Sequence, residues 1–201
     1  MLVDLYRSEE DDRKRRRPHR TPARIMTTPL RVMPLWFPER GLVPVGDSGY
    51  GTHEMARFVR RHEAHLSLVS ELHPEANLFE PPPPYSGKGR PPVRGPRRPE
   101  PKQAAAGAEL QAEEVAWYGG GRRKVGVATG TGHWYRAGEG LVPIAWVFVK
   151  GRTGTHRGEY FFGTDTAMTA TAMIEAYAGR WNLETTFQEA RCLLGLKSTR
   201  G

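Results

Sequence analysis

The sequence predicts an α/β fold, and three stretches carry that prediction. Residues 42–70 have the pattern of a strand, a helix and a second strand. Residues 115–164 consist of short apolar segments bounded by glycine, which is typical of β-hairpins. One long helix is then predicted from Thr169, as its N-cap, to about Leu194, with Gly195 as its terminator.

The N-terminal segment alternates in charge and then becomes helical. An acidic cluster at residues 9–12 is followed by the basic run 13–17, which is either a solvated block or a phosphate contact. Thr21 and Pro22 predict a helix start. Pro29 and Pro34 predict that this helix is irregular on its way to residue 36.

Asp47 follows the first predicted strand of the strand–helix–strand unit. Thr52 is the predicted N-cap of the helix, and a βαβ arrangement is expected because strand, helix and strand follow one another. Open α/β sheets place their sites at the carboxyl ends of strands, which is where Asp47 lies. From the residues alone, an aspartate there is more often a turn or capping residue.

Residues 73–102 contain four consecutive prolines and many arginines, so an extended, exposed loop is expected. This loop is either a cationic linker or a segment that follows a DNA backbone. The arginines concerned are Arg90, Arg94, Arg97 and Arg98. Residues 104–114 are expected to form a short helix or a disordered connection.

The strand-like region 115–164 is expected to contain five strands, of which 141–150 is the longest, with its tryptophans packed in the core. They are predicted at residues 115–118, 124–129, 133–136, 141–150 and 159–162. His133 and His156 are isolated in the sequence, so no zinc site is expected there.

Four polar residues of the last helix fall within an arc of about 60° at 100° per residue. They are Tyr177, Arg180, Glu184 and Arg191. A neighbouring arc is apolar, with Leu183, Phe187, Ala190 and Leu194. Spacing alone also allows a surface helix on which Arg180 and Glu184 form an ordinary ion pair.

These residues resemble the Tyr-Arg-Glu-Lys signature of insertion-sequence DDE transposases, and the segment around them reads YxxRWxLExTFQExRxxLGL. The resemblance implies that Glu184 is a metal-binding catalytic carboxylate. It implies that Tyr177, Arg180 and Arg191 contact DNA phosphates, although Arg191 stands where the signature has lysine. GDSGYG resembles the segment that carries the second transposase aspartate, which implies that Asp47 is the other catalytic and metal-binding residue.

The resemblance implies a partial ribonuclease-H-like core with a β-rich insertion before the C-terminal catalytic helix. The expected parts are an incomplete core at 1–72, a Pro/Arg-rich connector at 73–114, the insertion at 115–164 and the catalytic helix at 165–201. It also implies Mg²⁺ or Mn²⁺ as cofactor, because these ions prefer oxygen ligands. Transposon-end DNA is the expected partner, and a homodimer is expected in the full-length enzyme.

Only Asp4 precedes the basic run as a candidate for the first catalytic aspartate, and it is a weak one. The sequence is therefore interpreted as a transposase piece truncated at both ends and inactive alone. A non-catalytic DNA-binding remnant is the alternative, and a small basic RNA-binding protein is a third class.

The net charge of +8 agrees with a nucleic-acid partner. One cysteine excludes an intramolecular disulfide, and no membrane span or signal peptide is recognised, so a cytoplasmic, nucleoid-associated protein is expected.

Overall fold

The architecture is a mixed β-sheet with helices on both faces. A computed structural model describes residues 6–118, 121–151 and 158–193. The helices within these residues are α1 (Glu9–Lys14), α2 (Pro22–Trp36), α3 (His53–Arg60), α4 (Pro101–Ala106) and α5 (Ala170–Leu193). The strands are β1 (Val45–Gly46), β2 (Val69–Glu71), β3 (Leu78–Phe79), β4 (Gln111–Ala116), β5 (Arg122–Arg136), β6 (Gly140–Gly151) and β7 (Glu159–Gly163).

The described strands form one seven-stranded sheet in the order β1-β2-β7-β6-β5-β3, with β4 also paired to β5. The pair β1 and β2 is parallel and is connected through α3, so the predicted strand–helix–strand unit is confirmed. The other pairs are antiparallel. The strands of the expected β-rich insertion therefore continue the sheet of β1 and β2, joined to it through β7.

The sheet has a hydrophobic core on each face because successive side chains of a strand point to opposite faces. One core packs α2, α3 and α4 against the sheet and contains Met55, Val59, Ile144 and Phe162. The other packs α5 against the sheet and contains Val69, Val147, Phe161, Met173 and Ile174. Adjacent residues such as Phe161 and Phe162 belong to opposite cores, which fixes the register of each strand.

Hydroxyl side chains cap the helices where the sequence predicts them. Thr21 accepts a hydrogen bond from the Arg24 amide at 3.2 Å. Thr169 accepts one from the Ala172 amide at 3.2 Å and so begins α5. The helix α2 continues through both of its internal prolines to Trp36, which confirms its predicted end. Gly195 and Leu194 lie outside the described residues.

Three local predictions are wrong. Residues 124–129 and 133–136 belong to the single strand β5, because Gly130 leaves room for the Trp146 ring on β6 and the pairing continues past it. Residues 111–116 form β4, since they pair with the free edge of β5. The loop expected at 73–102 is interrupted by β3, whose two residues are buried.

Candidate functional site

Asp47 closes β1 and begins a tight turn. Its Oδ1 accepts a hydrogen bond from the Gly49 amide at 2.9 Å, and its carbonyl oxygen accepts from the Tyr50 and Gly51 amides at 3.0 and 2.9 Å. The side chain is exposed. Its Oδ2 makes no hydrogen bond or ion pair within the described part of the chain. The turn role that the residue pattern suggests is therefore observed, and one carboxylate oxygen still faces solvent.

The turn after Asp47 is held against the end of β2. The Ser70 hydroxyl lies 2.8 Å from the Gly46 carbonyl oxygen and 2.9 Å from that of Asp47, and can donate to either. A side chain at Gly51 would come within 2.7 Å of the Glu71 carbonyl oxygen, so this close approach requires glycine. The carboxyl ends of β1 and β2 consequently lie together at one edge of the sheet.

Glu71 is a second carboxylate at this edge, and the sequence reasoning missed it. Gly46 pairs with Ser70, so Asp47 and Glu71 follow the same register pair on adjacent parallel strands. Val45 and Val69 both pack in the core beneath α5. Side chains two residues apart along a strand point to the same face, so Asp47 and Glu71 are expected on the face that α5 covers. The signal was available, because Glu71 directly follows the second predicted strand just as Asp47 follows the first.

Tyr177 of α5 contacts this edge through its hydroxyl, which donates a hydrogen bond to Glu71 Oε1. Its ring is 3% exposed and stacks on Phe161, with ring centroids 4.3 Å apart. Burial raises the pKa of the Tyr177 hydroxyl above its ordinary value, and the bond to Glu71 raises this pKa further. Tyr177, which the resemblance predicts to contact DNA, is thus a core residue whose hydroxyl is hydrogen-bonded to Glu71.

The other predicted helix residues lie further along α5. The Arg180 guanidinium lies over the Tyr177 ring at 5.4 Å and near the Trp181 ring at 5.9 Å. Trp181 also meets Tyr118 edge to face at 5.5 Å. Arg191 is exposed. Glu184 lies in α5 between them, but its side chain is outside the described residues.

Tyr118 extends this aromatic group toward β7. Its hydroxyl donates to Glu159 Oε2 at 3.3 Å. Burial raises the pKa of the Tyr118 hydroxyl, and the Glu159 carboxylate adds to the increase. This end of the sheet therefore brings together two carboxylates, two phenols and a guanidinium, and Tyr177 is the buried member of the group.

Metal-binding potential is limited in the part of the chain that is described. No group of three or more histidine, cysteine, aspartate or glutamate side chains suited to a metal occurs among these residues. Asp4 and the Glu184 side chain lie outside them. Asp47 and Glu71 offer hard oxygen donors of the kind that Mg²⁺ and Mn²⁺ prefer.

Among the described helices, none combines the length and apolarity that crossing a bilayer requires.

Comparison with known proteins identifies the family. No curated protein sequence matches the chain significantly. The family model described as DDE superfamily endonuclease matches residues 4–124, which is more than half of the chain and includes Asp47 and Glu71. The family acts on DNA, has transposase-like nuclease function and generally uses divalent metals. The chain belongs to the DDE superfamily endonucleases.

Proposed function

We propose that the chain forms part of the catalytic domain of an insertion-sequence transposase of the branch with the Tyr-Arg-Glu-Lys signature. The observation that carries this proposal is the position of Asp47 within the family match. Asp47 ends β1 beside a parallel strand, and α5 contacts the same edge through Tyr177. The proposed reaction is metal-dependent cleavage and strand transfer of DNA at the ends of a transposon.

Asp47 and Glu184 are the proposed metal ligands, with Mg²⁺ or Mn²⁺ as the ion. The exposed Asp47 carboxylate fits this role because its Oδ2 makes no hydrogen bond or ion pair within the described residues. Glu184 follows Tyr177 by seven residues, which is about 10.5 Å along a helix and nearly two full turns. A divalent ion bound there would activate an attacking hydroxyl and stabilise charge on a reacting phosphate.

Arg180, Arg191 and Tyr177 are the proposed DNA contacts. Arg180 and Arg191 place positive charge along the part of α5 that follows Tyr177, where phosphates of a bound strand would lie. The Tyr177 hydroxyl can donate to a phosphate only if it leaves Glu71, because it donates its hydrogen bond to that carboxylate in the present structure. Its first role is therefore to position α5 relative to β2.

The proposed site needs a third carboxylate, because the resemblance assigns only two of the three to this chain. β1 is a terminal strand of the sheet, so one of its edges is unpaired among the described strands. Beside it runs an open apolar groove that includes Met26, Met33 and Val43. A strand pairing there parallel to β1 would end beside Asp47. We expect the chain alone to complete strand transfer poorly or not at all.

Iron-mediated protein cleavage tests whether the two proposed ligands meet. Fe²⁺ is added in place of Mg²⁺ with ascorbate and peroxide, and hydroxyl radicals then cut the polypeptide next to the bound ion. We expect cuts near residues 47 and 184 in the same sample. Asp47→Asn and Glu184→Gln should each abolish both cuts, because each removes one ligand of a shared ion.

Two variants serve as matched controls. Asp165 is also an exposed aspartate after a strand, and its Oδ1 accepts the Ala167 amide at 2.9 Å, as Asp47 does for Gly49. Glu189 is an exposed glutamate of α5. Asp165→Asn and Glu189→Gln should leave the cuts unchanged. Cuts at only one of the two positions, or cuts that persist in Asp47→Asn, would contradict the shared site.

A further inference from the structure

Residues 81–94 form a projecting loop, here called the basic loop, whose ends are closed by main-chain hydrogen bonds. The Glu80 amide donates to the Pro96 carbonyl at 2.9 Å, and the Gly95 amide donates to the Glu80 carbonyl at 3.1 Å. β3 ties this closure to β5. Every residue from 81 to 94 is exposed. The loop is therefore held firmly at its base and presented to solvent along its whole length.

The arginines at the base of the loop are engaged within the protein. The Arg94 guanidinium lies 4.4 Å from the Phe79 ring and 4.5 Å from the Tyr135 ring. Arg97 donates to Asn77 at 2.8 Å and pairs with Glu100 at 3.0 Å. Arg98 pairs with Glu80 at 2.8 Å. Three of the four arginines considered for DNA contact thus hold the base in place.

The tip of the loop has a different character. Lys88 and Arg90 are exposed, and neither side chain makes an ion pair or hydrogen bond within the described residues. Gly87 and Gly89 flank Lys88 with φ of 79° and 74°, and a side chain at either position would meet nothing within 4 Å. The Tyr85 hydroxyl donates to the Gly89 carbonyl at 2.8 Å and closes the turn. No acidic residue occurs between 81 and 94.

We propose that this tip inserts into the minor groove of A·T-rich duplex DNA, with Lys88 and Arg90 as the inserted cations. The B-DNA minor groove is only about 6 Å wide, so the polypeptide entering it must be thin. Glycines on both sides of Lys88 provide a backbone without side-chain bulk. Prolines 81–84 and 91–92 stiffen both arms, which lowers the entropic cost of ordering the tip on DNA.

The charge pattern favours the minor groove over simple phosphate contact. Narrow A·T tracts have enhanced negative potential that attracts inserted arginine and lysine, whereas guanine places an amino group in the groove. The loop brings two cations without an ion-pair partner to one narrow point, while Arg94 packs on aromatic rings and Arg97 and Arg98 pair with carboxylates at the base. A surface that only followed phosphates would gain more from cations spread along the loop. This site is separate from Asp47 and α5.

Binding to three duplexes of equal length tests the proposal, using the full chain and fluorescence anisotropy in EDTA. Inosine·cytosine pairs have the major groove pattern of G·C but lack the guanine amino group, so their minor groove resembles that of A·T. We expect similar affinity for the A·T and I·C duplexes and roughly tenfold weaker binding to G·C. The variant Lys88→Ala/Arg90→Ala should lose roughly tenfold on A·T and bind all three duplexes alike.

The matched control is Arg40→Ala/Lys124→Ala, which removes the same charge from exposed sites elsewhere and should keep the A·T preference. Thermal melting checks that every variant folds. The proposal is overturned if the wild type binds the three duplexes equally, prefers A·T to I·C, or does not bind, or if the loop variant keeps the preference. Because EDTA removes the metals, failure of the proposed catalytic site would not change these results.

Discussion

Tyr177 combines a role in the core with a place in the proposed DNA contact. Helical spacing predicts it on a polar face with Arg180, whereas the folded chain buries its ring against Phe161 and gives its hydroxyl to Glu71. A buried phenol needs a hydrogen-bond partner, and a carboxylate at a strand end supplies one. The consequence is that one residue connects α5 to the carboxyl end of β2.

Removing the hydroxyl tests this connection. Tyr177→Phe should lower the free energy of unfolding by about 1–2 kcal/mol, because Glu71 then loses a charge-assisted hydrogen bond. Urea denaturation measures the change. Tyr85→Phe is the control, since Tyr85 is 52% exposed and also donates one hydrogen bond. Equal midpoints for the two variants would contradict a stabilising role for the Glu71 contact.

The raised pKa values of Tyr118 and Tyr177 predict a loss of stability at alkaline pH. In the unfolded chain these hydroxyls ionise near pH 10, while the fold keeps them protonated to higher pH. The unfolded state therefore binds fewer protons above about pH 10, and the free energy of unfolding falls as pH rises from there.

Chemical denaturation between pH 8 and 11 measures this decline. Tyr118→Phe/Tyr177→Phe should decline less steeply than the wild type, because neither phenylalanine can ionise. Tyr85→Phe should follow the wild type. An unchanged slope in the double variant would show that these two phenols do not cause the alkaline loss.

At the scale of elements, β5 shows how a glycine inside a strand can make room for a large side chain on the neighbouring strand. Gly130 and Gly132 suggest a break in the sequence, yet β5 runs unbroken from Arg122 to Arg136. Gly130 pairs with Trp146 on β6, and a side chain at Gly130 would lie 2.6 Å from the indole ring. The missing side chain lets the large ring lie over the strand, so glycine here supports pairing instead of ending it.

Gly130→Ala should therefore destabilise the protein by about 1–3 kcal/mol, which is the range for overpacking a filled core. Tryptophan fluorescence during urea denaturation measures both stability and the environment of Trp146. Gly151→Ala is the control, because a side chain at this glycine of β6 would meet nothing within 4 Å. The packing explanation fails if both alanine variants are equally stable.

At the scale of the molecule, two separate surfaces carry cations that are proposed to contact DNA. One is α5, with Arg180 and Arg191, and the other is the tip of the basic loop. Each cation that neutralises a phosphate releases condensed counterions, which makes binding depend on salt. The two proposed phosphate contacts of α5, Arg180 and Arg191, predict a contribution of about −1.8 to the slope of a plot of log K against log salt concentration.

Removing the charges of one surface should change this slope by a known amount. Arg180→Gln/Arg191→Gln should make the slope shallower by about 2, because two contacts are lost. Titrations of duplex DNA at several salt concentrations measure it. Arg40→Gln/Lys124→Gln removes the same charge elsewhere and should leave the slope unchanged. If both variants reduced the slope equally, DNA would be attracted by the net charge of the protein and not by specific contacts with Arg180 and Arg191.

Local patterns predicted much of the element order. The caps at Thr21, Thr52 and Thr169, the parallel pair around α3 and the helix α5 are confirmed. These features depend on residues a few positions apart, where short-range hydrogen bonding and periodicity dominate. The roles of Asp47, Glu184, Arg180 and Arg191 rest on a resemblance and stay predictions.

Local patterns in the sequence were sufficient to predict the class of fold, the family and the strand end that carries Asp47. They could not show that β4 to β7 extend the same sheet, that Tyr177 donates to Glu71 or that Arg94 packs on aromatic rings, which the folded chain reveals. Tyr177 and Glu71 are 106 residues apart in the sequence. Arg94 is 15 residues from Phe79 and 41 residues from Tyr135, the two residues whose rings it contacts. Such pairings follow from packing of the whole chain, since local periodicity shows which face a residue occupies but not what that face meets.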